Sequence, residues 1–148
     1  MSRLRRILHP TDFSSASNAA FARAVAMAKV DRAQLLLVHV IAPPMPISGE
    51  GYIPPNLYDD LEASARKYAQ KRLASLVEKA RKAGVKAVSV IQEGVAHEQI
   101  ARAAKSKKAD LIVIGTHGRT GFAKFFLGSV ASRVVATAPC PVLTVRGR

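Results

Sequence analysis

Two unbroken apolar runs, Leu35-Leu36-Leu37-Val38 and Leu111-Ile112-Val113-Ile114, constrain this chain more than any other feature. A half-exposed strand alternates apolar with polar residues; a run apolar at every position fits a strand covered on both faces. The rest of the chain supplies covers for them. Arg6-Ile7-Leu8-His9 reads as a first strand stopped by Pro10, which has no amide to give a ladder. Ser14 or Ser15 can cap an Ala-rich helix from Ala16 to Val30, and Gln34 to Val40 is the second strand. Five prolines break the periodicity of residues 41–56, a connection long enough to be functional or mobile. A long helix then starts near Leu57, with Leu61, Ala65, Tyr68, Ala69, Leu73, Leu76, Ala80 and Ala83 on one stripe. Gly84 suits a left-handed cap at its end. Val85 to Gln92 reads as the third strand, Ala96 to Lys105 as a short helix with Ile100 inward, and Leu111 to Ile114 as the fourth strand. A helix from Gly128 to about Ala138 and a strand from Val142 to Val145 complete the pattern. Strands separated by helices pair in parallel, because a parallel pair needs a crossover. The expectation is a three-layer α/β sandwich on a five-stranded parallel sheet, with strand order left open.

Composition narrows the setting. With 148 residues, 49% of them hydrophobic, residues 1–148 fit one domain with a core that needs no disulfide or metal staple. Cys140 is the single cysteine, which excludes an internal disulfide and suits a reducing cytoplasm. It lies between two prolines with no base in view, so no reactive thiol is expected. No apolar run approaches the roughly 20 residues that span a bilayer, and the apolar stretch after Arg6 is too short for a signal-peptide core. The formal net charge of +13 attracts phosphate-bearing ligands of every kind. Its cations are dispersed along the sequence and there is no Trp for base stacking, so a solvated basic surface is preferred to a nucleic-acid binder. His9, His39, His97 and His117 show no metal-ligand spacing.

Chemistry concentrates after two strands. Open parallel sheets bind ligands beyond the carboxyl ends of their strands, where strand order reverses. After the first strand comes His9-Pro10-Thr11-Asp12-Phe13-Ser14-Ser15; after the fourth, Gly115-Thr116-His117-Gly118-Arg119-Thr120-Gly121, leading to Leu127-Gly128-Ser129-Val130. Gly115 and Gly118 let backbone amides approach a bulky phosphate. Gly128, Ser129 and Val130 open a helix whose first amides have no intrahelical partner and whose dipole favours an anion. Arg119 and Lys124 add full charges. The competing reading is a glycine-rich turn that merely connects two elements. A Walker loop is absent, since no glycine is followed by Lys-Ser or Lys-Thr, and the first strand lacks the dinucleotide fingerprint.

The segment from Gly115-Thr116-His117-Gly118 to Gly128-Ser129 has the spacing Gly-x2-Gly-x9-Gly-Ser and resembles the nucleotide loop of the universal stress protein family. Ile7-Leu8-His9-Pro10-Thr11-Asp12-Phe13-Ser14 resembles that family's first strand and loop, Leu36-Leu37-Val38-His39-Val40 its second strand, Ala109 to Gly115 its fourth and Pro139 to Val145 its last. The resemblance covers the whole chain as a single copy. It implies a Rossmann-like sheet of the adenine nucleotide alpha hydrolase-like kind, in the order 3-2-1-4-5. It also implies that Asp12 and the backbone of Val40 hold adenine and ribose, and that Gly115, Gly118, Gly128, Ser129 and Val130 hold the phosphates of ATP, ADP or AMP. An intact loop goes with the ATP-binding branch. A homodimer through Val142 to Val145 is implied too, and agrees with an apolar edge otherwise exposed.

Catalysis has weaker support. Phosphoryl transfer needs a metal-holding acid near the reacting phosphate, and Asp12 is the only obvious acid near the loop. The expected function is therefore an ATP-binding regulatory or stress-response protein with slow or absent hydrolysis, any Mg²⁺ being held mainly by phosphates. A true ATPase or phosphotransferase, an ATP-independent dimeric interaction module and a nucleic-acid binder are the alternatives, in that order.

Overall fold

In the structure, a computed structural model, residues 2–43, 54–116 and 127–147 are described. Strands and helices alternate among them: β1 (Arg6–Pro10), α1 (Ser15–Asp31), β2 (Gln34–Ile41), α2 (Pro55–Lys82), β3 (Ala87–Glu93), α3 (Ala96–Ser106), β4 (Leu111–Gly115), α4 (Ser129–Thr137) and β5 (Val142–Val145). Every strand pair is parallel and the sheet order is β3-β2-β1-β4-β5, so the order reverses between β1 and β4.

Strand alternation sorts the apolar runs into two cores. Ile7, Leu35, Leu37 and Val113 face α1 and α2, where they meet Ala20, Ala24 and Leu73. Leu8, Leu36, Val38, Ile112 and Ile114 face α3 and α4, where they meet Ile100, Ala103, Ala131 and Val134. Each fully buried Leu, Ile or Val contributes roughly 1.5–3 kcal/mol over its exposed state. That burial is why the runs are apolar at every position. In α1 the inward positions Ala16, Ala20, Ala24 and Ala28 recur every fourth residue, and their small side chains let the helix sit close over the sheet. Ser14 caps it, accepting from the Ser17 amide.

Helix ends follow the expected chemistry in part. Gly84 has φ +89°, the left-handed geometry that closes α2. At the ends of α1 and α3 the corresponding turns are made by Arg32 (φ 55°) and Lys108 (φ 54°), at a cost of about 1 kcal/mol each for a side-chain-bearing residue.

The stripe on α2 is buried only from Ala69 onward; Leu61 and Tyr68 remain exposed. The reason is length. A helix of 28 residues runs about 42 Å, whereas β3 with 7 residues spans about 23 Å. The first turns of α2 overshoot the sheet at the carboxyl ends of the strands, where Arg66 pairs with Glu93. Among the described residues no helix is long and apolar enough to cross a membrane.

Candidate functional site

β1 and β4 share two rungs, Ile7 with Leu111 and Leu8 with Ile112, and none beyond. β1 ends on Pro10 itself, one residue beyond the expected bound, and the proline changes what β1 offers β4. The Arg6 carbonyl accepts from the Asp110 amide (2.8 Å), so Arg6 faces β4; the Thr11 amide donates to Val38 O (2.9 Å), so Thr11 faces β2. Alternation turns position 10 toward β4, where proline has no N–H for the carbonyl of Val113. His9 supplies the donor instead: its Nδ1–H bonds Val113 O at 2.9 Å. Its ring is fully buried beside Phe21, and its Nε2 has no hydrogen-bond partner among the described residues. Burial lowers its pKa to about 4, against the smaller opposing pulls of the Val113 bond and of Asp12.

The loop after β1 is built from its own side chains. Asp12 Oδ1 accepts from the Ser14 amide (2.9 Å) and from Ser17 Oγ (2.7 Å), and Thr11 Oγ1 accepts from the Phe13 amide (3.0 Å). These short-range bonds are those Asp, Ser and Thr make in turns. Phe13 takes φ 65°, rare for an aromatic residue. Its ring is locked by a stack on His39 (4.5 Å), an edge contact with Tyr68 (5.9 Å) and the Arg72 guanidinium 5.2 Å above it. His39 Nδ1–H donates to Thr11 O at 2.8 Å, tying the loop to β2.

Between this loop and β4 lies a cleft of about 300 Å³, at the low end of the range for ligand pockets. Of the residues expected in a site, Asp12, Val40, Gly115, Gly128, Ser129 and Val130 all line it. Gly118 and Arg119, with His117 and Lys124, lie outside the described residues, as do residues 44–53 of the proline-rich connection. Thr116 holds the junction: its amide donates to Val145 O (2.9 Å) and its carbonyl accepts from the Gly128 amide. α4 starts at Ser129 with Gly128 as a cap that carries no side chain, and no acid lies in its first turn. α3 also starts at the cleft, with Ala96 on its wall and no side-chain cap from Val95. The start of α4, with neither a side-chain cap nor an acid, makes its end of the cleft favourable to negative charge, whereas Glu98 in the first turn of α3 offsets that helix's dipole.

Gly115 has a packing role as well as its place on the cleft wall. A Cβ there would stand 2.9 Å from the Ala16 carbonyl oxygen and 3.0 Å from its carbon. The absent side chain lets β4 pass close to the start of α1. Sequence reasoning passed over Thr11, Ser17, His39, Ala96 and Ile100, all on the cleft wall. The spacing of Asp12 with Ser14 and Ser17 carried a signal for Ser17; nothing local marked His39. Cys140 is half-buried, and burial followed by the Asp110 carboxylate pushes its thiol pKa up, in keeping with an unreactive cysteine.

Fold and cleft together define an open, doubly wound α/β protein with an anion-suited crevice at its switch point. The universal stress protein family model matches residues 3–146, and the chain belongs to that family. It is 35% identical over 144 residues to universal stress protein MJ0531 of Methanocaldococcus jannaschii, covering 96% of this chain and 82% of that one. Universal stress protein YxiE of Bacillus subtilis is 33% identical, with 95% and 98% covered. Among solved structures, MJ0577 superposes with a TM-score of 0.86 at 27% identity over 99% of both chains. UspA of Lactobacillus plantarum superposes at 0.85 with 28% identity over 99% and 100%. A universal stress protein in complex with cAMP superposes at 0.72 with 25% identity, 98% of each chain being covered.

Proposed function

We propose that the cleft binds an adenine nucleotide, ATP foremost and ADP or AMP as alternatives, and that the protein is a regulatory member of its family with slow or no hydrolysis. The observation that carries this reading is the convergence of Asp12, Val40 and Gly115 with the start of α4 at Gly128 and Ser129, across the strand-order reversal. In this reading Asp12 and the Val40 backbone hold ribose and adenine. Gly115, Gly118, Gly128, Ser129 and Val130 hold phosphates, with Arg119 adding charge. The intact Gly-x2-Gly-x9-Gly-Ser spacing supports it, as does a family member crystallised with an adenine-bearing ligand, cAMP.

The described donor set supports slow turnover. Asp12 Oδ1 is engaged by Ser14 and Ser17, which suits a carboxylate that positions a loop and a ribose. Among the described residues no three His, Cys, Asp or Glu side chains cluster, so Mg²⁺ accompanying the nucleotide would take its ligands from phosphate and water. The dimer is part of the same proposal. Among the described residues β5 pairs with β4 alone, leaving Leu143 partly exposed on an edge strand beside α4, whose Val135 is exposed as well.

Mass spectrometry of the purified protein, followed by calorimetry with ATP on nucleotide-free material, tests the reading. An adenine nucleotide carried through purification, or ATP binding that Gly118→Val abolishes, is the expected result. No heat with ATP, and a Gly118→Val variant indistinguishable from wild type, would favour an interaction module independent of nucleotide. Phosphate release at the roughly 1–100 per second of ordinary kinases would overturn the regulatory assignment.

A further inference from the structure

Cations that are scattered along the sequence meet in space. All strands run the same way, so their amino ends lie along one rim, opposite the cleft, and each helix returns its carboxyl end to that rim. Arg5 and Arg6 lead into β1, Arg32 precedes β2, Lys86 precedes β3, and Lys107 and Lys108 precede β4. Backbone bonds lock these segments side by side: the Leu35 amide to Lys86 O, the Gln34 amide to Arg5 O and the Asp110 amide to Arg6 O, each at 2.8 Å. All six cations are exposed. None is ion-paired; among the described residues the ion pair found is Arg66–Glu93, at the opposite end of the molecule. Two aspartates share the rim, Asp31 Oδ2 accepting from the Leu4 amide and Asp110 Oδ2 from the amides of Arg5 and Arg6; they offset part of the positive charge, and the six cations outnumber them.

Helix dipoles account for part of this charge. Lys29, Lys82 and Lys105 stand in last turns, where a cation is favoured. The dipole does not explain the strand lead-ins at Arg5, Arg6 and Lys86. Nor does it explain why Arg32 and Lys108 occupy left-handed backbone positions that α2 fills with glycine.

We propose that this rim docks the phosphate backbone of a nucleic-acid duplex without reading its sequence. Four strands at about 4.8 Å spacing give a row about 14 Å wide. A duplex presents one phosphate charge per roughly 1.7 Å of axis, about eight over that width, comparable with the cations available. The rim segments hold no Trp, Tyr or Phe on which unpaired bases would stack. Val30 and Val88, exposed on separate elements, do not form the continuous apolar face that seats a helix in a lipid surface.

The test is fluorescence anisotropy of labelled mixed-sequence duplexes of about 20 base pairs, one of DNA and one of RNA, with the full chain, first without nucleotide and then with saturating ATP. Six phosphate contacts predict a slope of about −5 in log affinity against log salt. The triple variant Lys86→Gln, Lys107→Gln, Lys108→Gln is expected to lose at least about tenfold in affinity and to flatten the slope by about 3. Lys67→Gln, Lys71→Gln, Arg133→Gln makes the same change of net charge away from the rim and is expected to stay within about threefold of wild type. Circular dichroism confirms that both variants fold, and the two duplexes tell DNA from RNA as the source of the phosphates. Equal losses in the two triples, no binding at about 50 mM salt, displacement of the duplex by ATP, or a rim effect seen only with anionic lipid vesicles would each overturn the proposal.

Discussion

The imidazole of His9 stands in for the amide that Pro10 lacks, and its burial keeps it neutral against the upward pull of that same bond. Its folded pKa of about 4 lies below the ordinary 6.5, so between those values the unfolded chain binds the extra proton. Stability from this site is therefore complete above about pH 6.5 and is lost as pH falls toward 4, by on the order of 3 kcal/mol in all. Urea midpoints at about pH 7.5 and about pH 4.5 check it, and His9→Gln should show a shallower pH dependence than wild type. Gly115 makes a second prediction. Its missing Cβ faces the backbone of Ala16, which cannot step aside as a side chain would. Gly115→Ala should lower stability by about 1–3 kcal/mol without any nucleotide present. A glycine needed only for phosphate would leave the ligand-free denaturation curve unchanged. Both positions were marked by their residue types, but neither contact was readable, since Val113 and Ala16 are each about a hundred residues from the group they meet.

Element boundaries were legible wherever burial is continuous. The apolar runs of β2 and β4 appear where the sequence puts them, because a strand covered on both faces leaves no polar position to confuse its reading. The α2 stripe was legible as helix but misleading as burial, since the pattern does not state how long the sheet beneath it is. The edge of the sheet yields a prediction of its own. The Ile112 amide donates to Pro141 O and the Thr116 amide to Val145 O, so the amides of Val142 and Thr144 point away from β4. Thr144→Pro removes an outward donor and leaves the internal ladder intact. If β5 joins two copies, light scattering after gel filtration should show that variant as a monomer and wild type as a dimer. A dimer in both would place the contact elsewhere.

For the whole molecule, ligand binding and stability are linked. ATP at a hundred times its dissociation constant should stabilise the fold by about 2.7 kcal/mol, which for a chain of this size raises Tm by roughly 5–10 °C. Differential scanning fluorimetry reads it directly, and Gly118→Val should abolish the shift. A duplex bound at the rim should add to that shift rather than compete with it, because rim and cleft lie at opposite ends of the strands.

Periodicity within a few residues was enough to place the strands and helices, to make the sheet parallel and to mark the loops after β1 and β4 as the chemical ones. Those properties depend on neighbours along the chain, so they are written locally. Strand order came from family resemblance, and the structure agrees with it. Other properties belong to the folded chain alone: the bond from His9 to Val113, the close pass of Gly115 over Ala16, the stack of Phe13 on His39 and the gathering of dispersed cations on one rim. Each depends on which strands lie side by side, and a parallel crossover brings together residues whose separation along the chain carries no periodic trace.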